Sequence, residues 1–440
     1  MSVVQCPALF VVAPASGQGK TTITAALARL LRRQGKVVRV FKTGPDYLDP
    51  QILQQASGQP VEQLDLWMAG EQWCQHKLYQ AACVADLILV EGAMGLFDGD
   101  PSSADLATYF NIPVAIVMDV KGMAQTAAAI AIGLAAYRSD IKMVGLIANN
   151  CSTVRHRELI ENALPASLPL LASLKTSAEV ALPERHLGLV QAAEVEDELE
   201  SRFEAGADWL ESAGIIKSIE QLEDVDFHQT AIKSPDALLM NTRIGVAKDK
   251  AFSFIYDANI ELLESMGAKI SYFSPLIDTQ LPEIDAMWLP GGYPELHAKA
   301  LSVNNEMLAA ISEFYHQEKP ILAECGGFLY CLQSLTDLDA EEYSMAGILP
   351  GFAEMRGKRG CQGMQVLPLP EGEVRGHAHH RSRSHQTPEP IAYAKRQRHS
   401  VPGEAIYREK KLTASYLHLF FPSNPEAIAG IFNTAIESNA

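Results

Sequence analysis

Two short stretches of the sequence bring together residue types that do chemistry only in company. The first, APASGQGKTT, ends in the Gly-Lys-Thr of a phosphate-binding loop. Successive backbone N–H groups and a helix N-terminus can cradle phosphates there, and a lysine neutralises them. Lys20 is expected at the β and γ phosphates, and Thr21 offers a hydroxyl to Mg²⁺, a hard cation that needs only one or two protein oxygens. The usual pattern has glycine where Pro14 stands, while Gly17 and Gly19 remain. Further along, DLILVEGAMGLFDG ends an apolar strand in Glu91. Ligands of open α/β sheets collect at such strand ends, so Glu91 reads as a metal carboxylate. Asp46 in FKTGPDYLDP and Asp98 in LFDGD, each beside Gly or Pro, read on their own as turn formers.

The second stretch, PILAECGGFLY, runs an apolar strand into Cys325, Gly326 and Gly327. A tight strand-to-helix turn of this kind exposes the sulfur, and the helix N-terminus is expected to lower its pKa. The thiolate would attack a carboxamide to give a thioester. The oxyanion would be held by the N–H of Gly326 and by another from the PGGYPE loop, around Gly291, Gly292 and Tyr293. The base must be a histidine distant in sequence. His418, in ASYLHLFFPSNP, follows a short apolar run that can return beside Cys325.

The elements that must position these groups follow from periodicity. Strand-length apolar runs lie at 8–12, 37–41, 87–90, 114–118 and 144–148, separated by helical patterns or loops. Ile23, Ala26, Leu27, Leu30 and Leu31 recur at helical spacing, so a helix begins close to Lys20 and stops at Gly35. A second series runs through 243–247, 269–273, 286–290 and 320–324. The alternation predicts two doubly wound parallel-sheet α/β domains, at 1–193 and 241–440, joined by a charged helical connector at 194–240. The 440 residues are 48% apolar, enough for two sizeable cores. A net charge of -17 speaks against broad nucleic-acid binding. Seven scattered cysteines without a CxxC pair suit a reducing compartment. No apolar stretch approaches a membrane span, and a soluble cytoplasmic protein is expected.

Six segments in one order, APASGQGKTT, FKTGPDYLDP, LVEGAMGLFDG, ALPERHLGLV, PGGYPEL and ECGGFLY, resemble the cobyrinic and hydrogenobyrinic acid a,c-diamide synthase family over nearly the whole chain. The first half also resembles dethiobiotin synthetase, a P-loop NTPase-like fold. The second resembles a class I glutamine amidotransferase, which is flavodoxin-like. The resemblance implies that L-glutamine is hydrolysed at Cys325 with His418 as base, and that ammonia passes internally to an ATP site. There a carboxylate of a corrinoid polycarboxylate becomes an acyl phosphate and then an amide. Carried over residue by residue, Ser16, Gly17, Gln18, Gly19, Lys20, Thr21, Thr22 and Lys42 bind ATP. Thr21 and Glu91 hold Mg²⁺, with Asp46 as a further candidate ligand, and Asp46, Tyr47, Leu48 and Asp98 shape the carboxylate site. A homodimer is compatible with the resemblance, which does not fix the oligomeric state.

Two places depart from the family pattern. GHAHHRS, at 376–382, has Ala378 and His379 where an acidic and an aromatic residue are usual, and Phe420 stands where a second histidine often follows His418. Residues 356–399 hold nine Lys or Arg against three Glu, with five histidines, in an acidic chain. Part of this segment, with Arg375 and Arg381, is expected to face a polycarboxylate. Its histidines lack cysteine or carboxylate partners at zinc-ligand spacing. The alternatives are the same chemistry on nickel-sirohydrochlorin or another tetrapyrrole, a cobyric acid synthase, and a ParA- or MinD-like ATPase switch with a relic Cys domain. FKTGPDYLDP fits the diamide branch better than cobyric acid synthase.

Overall fold

The computed structural model describes residues 2–185, 188, 189, 196–232, 235–358, 360 and 362–433. His186, Leu187 and Val190 of ALPERHLGLV, and Arg359 in the basic segment, lie outside them. The chain divides into two units, Met1–Ile232 and Lys233–Ala440.

In the first unit the strands are β1 (Val3–Val12), β2 (Val38–Thr43), β3 (Val61–Leu64), β4 (Leu87–Glu91), β5 (Val114–Asp119), β6 (Met143–Asn149) and β7 (Leu170–Ser173). They form a parallel sheet in the order β3-β2-β4-β1-β5-β6-β7. The helices are α1 (Lys20–Arg33), α2 (Leu48–Ser57), α3 (Glu71–Ala82), α4 (Ser103–Tyr109), α5 (Gln125–Tyr137), α6 (Val154–Glu161) and α7 (Glu196–Ser212). Alternate residues of each strand face opposite layers. Phe10, Val12, Val90 and Ile116 pack with α3, α4, α5 and α6. Leu9, Val11, Val40 and Val117 pack with α1, α2 and α7. The first helix begins at Lys20, as its spacing predicts.

The stretch expected as a connector is instead built into this unit. Leu199, Phe203, Ala207 and Leu210 of α7 form a buried stripe against α1. Gly206 permits the close approach, since a methyl there would stand 2.9 Å from the Ala26 Cβ. Arg29 grips Glu200 through two nitrogens, at 2.7 and 2.9 Å, and reaches Glu204 at 3.0 Å. The short pieces β8 (Glu184–Arg185) and β9 (Gly188–Leu189) pair with each other, and α8 (Ile216–Ile219) follows α7. Strand β10 (Asp224–His228) then pairs antiparallel with the start of β1. Acidic composition suggested a solvated linker, but the buried stripe and the Arg29 pairing outweigh it.

The second unit opens with β11 (Arg243–Ala247), α9 (Asp257–Ser265), β12 (Lys269–Phe273), β13 (Ala286–Leu289), α10 (Ala298–Val303), α11 (Asn305–His316), β14 (Ile321–Glu324) and α12 (Gly326–Cys331). A small sheet holds β15 (Ser334–Thr336), β16 (Glu342–Ser344), β17 (Phe352–Met355) and β20 (Ser382–His385). The main sheet adds β18 (Gln362–Leu369), β19 (Gly372–His379), β21 (Ala392–Arg396), β22 (Pro402–Glu409), β23 (Leu412–Ser415) and β24 (Leu417–Leu419), before α13 (Pro425–Phe432). Its order is β12-β11-β13-β14-β23-β22-β21-β18-β19-β24. The first five strands in that order are parallel, sandwiched between α10–α12 on one face and α9 with α13 on the other. The rest form an antiparallel extension that the sequence reading did not foresee. Tyr416 separates β23, which pairs with β14, from β24, which pairs with β19.

Candidate active site

In the first unit the sites gather at the carboxyl ends of β1, β2 and β4. Gly17 and Gly19 take φ of 76° and 95°, backbone that L side chains rarely adopt, so the loop keeps glycine where the turn demands it. The Pro14 departure falls outside those two positions. Ser16 and Gly17 are exposed at the tip, and Thr22 lies in the first turn of α1. Gln18 and Gly19 are braced by residues the sequence reading missed. The Asn149 amide donates to the Gln18 carbonyl at 3.0 Å, and Gln18 Oε1 accepts from the Asp119 N–H at 2.9 Å. Lys20 donates to the Met94 carbonyl at 2.8 Å. Burial, and then Lys42, lower its pKa.

Thr21 donates to Glu91 Oε1 at 2.8 Å. The Lys42 ammonium stands between Glu91, at 2.5 Å, and Asp49, at 2.6 Å. Burial opposes the Lys42 charge, but Asp49 and Glu91 outweigh it and hold the ammonium charged. Burial alone would raise Asp49, yet Lys42 keeps it below the ordinary carboxylate range. Burial keeps Glu91 above that range. Asp46 accepts from the Leu48 and Asp49 N–H groups, both at 3.0 Å, and so starts α2. Its carboxyl is pushed up to about 7, first by burial and then by Asp49. Tyr47 stands at the N-cap position of the same helix without a side-chain capping hydrogen bond. Asp98 folds back to accept from the Gly95 N–H at 3.1 Å, closing the loop after β4. Asp49, in the quoted motif but not singled out, thus belongs to the cluster; the cue was a carboxylate three residues after Asp46.

The donor chemistry suits a hard cation. Thr21 and Glu91 offer oxygens, and Glu91 Oε2 is buried without a hydrogen-bond partner among the described residues. No three His, Cys, Asp or Glu side chains form a ready metal cage among those residues.

In the second unit Cys325 has φ 43° and ψ -101°, a strained turn between β14 and the short α12. Glycine is required around it. A methyl on Gly326 would lie 2.9 Å from the Gly292 nitrogen, and one on Gly291 would overlap the His418 ring. The elbow, the Gly-Gly loop and the imidazole are therefore side by side. Tyr293 packs edge-on against Phe254, at 5.0 Å between centroids, and Phe254 lies 5.8 Å from the His418 ring. The expectation that the helix end lowers the Cys325 pKa is overturned. Burial, and then Glu295, push the thiol up and outweigh the Gly326 N–H, which favours the thiolate. His418 is driven down to about 3 by burial and by His379 and His380, so its imidazole is neutral.

Glu324 lies just before the thiol. Its Oε1 accepts from the Leu419 N–H at 2.7 Å and its Oε2 from the Trp288 indole at 2.9 Å. Burial pushes it up to about 8. In the basic segment Lys395 pairs with Glu373 at 2.6 Å, His380 with Glu404 at 3.0 Å and His385 with Glu354 at 3.1 Å.

Two family models match: the CobQ/CobB/MinD/ParA nucleotide binding domain over residues 9–190, and the CobB/CobQ-like glutamine amidotransferase domain over residues 243–426. Fold and family together define an ATP-dependent ligase that draws its amide nitrogen from glutamine. The chain is 49% identical to the hydrogenobyrinate a,c-diamide synthase of Stutzerimonas stutzeri, covering 97% of this chain and 98% of the relative. It is 47% identical to the enzyme of the same name from Pseudomonas aeruginosa, over 100% of both chains. It is 44% identical to the cobyrinate a,c-diamide synthase of Herminiimonas arsenicoxydans, over 96% of both. The chain belongs to the a,c-diamide synthase family of cobalamin biosynthesis. No described helix is long and apolar enough to cross a membrane.

Proposed function

We propose that this chain converts the a and c carboxylates of hydrogenobyrinic or cobyrinic acid to carboxamides, using ATP and glutamine. Hydrogenobyrinic acid comes first because the relatives at 49% and 47% identity carry that name. The observation that carries the reading is a strained Cys elbow beside a neutral imidazole and a P-loop beside strand-end carboxylates, in one chain whose relatives match end to end.

Glutamine enters at Cys325. His418 takes the thiol proton as sulfur attacks the carboxamide carbon, which suits a buried thiol that holds its proton until attack. N–H groups of Gly326 and of the Gly291–Tyr293 loop hold the oxyanion, a thioester forms, ammonia leaves, and water releases glutamate. At the ATP site, Lys20, Lys42 and the loop N–H groups of 16–22 bind the phosphates. Asp46, Tyr47, Leu48 and Asp98 orient the acceptor carboxylate. The γ-phosphoryl moves to that carboxylate, and ammonia displaces phosphate from the acyl phosphate. The carbon of a free carboxylate is a poor electrophile, and the phosphate leaving group corrects this. Thr21 and Glu91, with Asp46 or Asp49, would hold Mg²⁺, which neutralises phosphate charge when bound. We assign the chain to the cytoplasm, where ATP and glutamine are abundant.

The test offers hydrogenobyrinic acid, cobyrinic acid and nickel-sirohydrochlorin separately, with MgATP and glutamine, and reads products by mass spectrometry. Two carboxylate-to-amide conversions on a corrinoid acceptor are expected. Consumption of ATP and glutamine without amidation would reject these acceptors, and consumption of neither would reject the ligase chemistry. Cys325→Ala should abolish use of glutamine and spare turnover with ammonia.

A further inference from the structure

The strand that carries His418 is held in an unusual way. Strand β24 ends the sheet order and, among the described residues, pairs with β19 alone. Beyond the break at Tyr416 it no longer follows β23, so one edge of its backbone faces side chains where a further strand would lie. Two buried side chains supply the missing partners. Glu324 accepts from the Leu419 N–H at 2.7 Å while its other oxygen is pinned by the Trp288 indole at 2.9 Å. Asn259, on α9, donates to the Leu419 carbonyl at 2.9 Å and accepts from the Phe421 N–H at 2.8 Å. Glu324 is 2% exposed and Asn259 1%. Both backbone polar groups of Leu419, the residue after His418, are thus fixed by side chains from other elements.

A buried carboxyl is a costly way to hold a strand, since desolvation penalises its charged form. It is a good way to fix geometry, because a charge-assisted or carboxyl hydrogen bond is directional. Glu324 also precedes the nucleophile directly, so one residue reports the position of the elbow to the strand of the base. We propose that Glu324 and Asn259 form a buried clamp that sets His418 against Cys325, with Glu324 as a positioning residue in place of an acidic side chain on β24. The inference rests on Cys325 and His418 acting as nucleophile and base.

The test uses the full chain and Glu324→Gln. The amide is the same size, but its NH₂ must face either the Leu419 N–H or the Trp288 indole, donor against donor. Glutamine-dependent kcat should fall on the order of 10- to 100-fold while KM for glutamine stays within about twofold. Amidation with ammonia should be unchanged, which reports an intact ATP site. Combining Glu324→Gln with Trp288→Phe removes the indole donor, so that the amide oxygen can serve Leu419. The double variant should recover part of the lost kcat, a reversal that damaged packing would not give. Wild-type kcat in Glu324→Gln, or a double variant no faster than the single one, overturns the clamp. If Glu324→Gln does not fold, Asn259→Ala tests the clamp from α9 through the Leu419 carbonyl, and an unchanged kcat there also overturns it. Glutamine hydrolysis surviving in Cys325→Ala would instead reject the underlying assignment of nucleophile.

Discussion

Glu295, four residues after Gly291, is a carboxyl that burial pushes up from an ordinary 4.5 to about 7. Between those values the unfolded side chain is ionised while the folded one keeps its proton. Stability from this group is therefore full below pH 4.5, falls as pH rises, and is gone above about 7. Glu295→Gln removes the dependence and should gain on wild type by on the order of 3 kcal/mol across that window. Thermal melts at pH 5 and 8 check it, and parallel shifts of the two proteins would refute it. The residues legible in the sequence were those whose neighbours announce them: Lys20 and Thr21 after a Gly-rich turn, Glu91 at a strand end, Cys325 before two glycines. Asp49 was not, because its place beside Thr21 and Lys42 depends on α1, α2 and β2 converging. Asp98, expected at the acceptor site, spends one oxygen on the Gly95 N–H, so its turn reading also holds.

At the scale of elements, the Gly291–Gly292 loop and β24 share a boundary with no room for a side chain. Gly291→Ala would drive a methyl into the His418 ring. Displacing the base by about 1 Å should cost about 100-fold in glutamine-dependent kcat while turnover with ammonia persists. Unchanged glutamine use would mean that the loop yields and that the base is elsewhere. Central parallel strands such as β1, β4 and β5 were readable because each holds an apolar run buried on both faces, whereas β3, reading VEQL, was not. The antiparallel extension was hidden, since β18 is exposed at its start, then alternates partly buried and buried positions, and lies in a segment rich in basic residues that imitates a surface loop. In α7 the stripe of Leu199, Phe203, Ala207 and Leu210 was present in the sequence, but Glu and Asp around it suggested solvent.

For the whole molecule, two units with separate cores should melt as two events. Arg29 is 6% exposed and ties α1 to α7 within the first unit. Arg29→Ala should destabilise that unit by about 2–3 kcal/mol, below a fully buried pair because its glutamates are half exposed. Scanning calorimetry should show one transition lowered by several degrees and the other unmoved. A single transition that shifts as one would show that the units unfold together.

The break at Tyr416 bears on how the protein comes to be made. The ATP-binding unit lies entirely upstream, and the nucleophile elbow on β14 precedes β18, β19 and β21–β23 in the chain. The proposed base comes after all of them. A ribosome thus exposes a complete nucleotide site first, then a thiol with no imidazole beside it, and only later the strand that brings His418. If Cys325 and His418 act as proposed, a growing chain would first cleave glutamine only after the unit proposed to consume its nitrogen has been made.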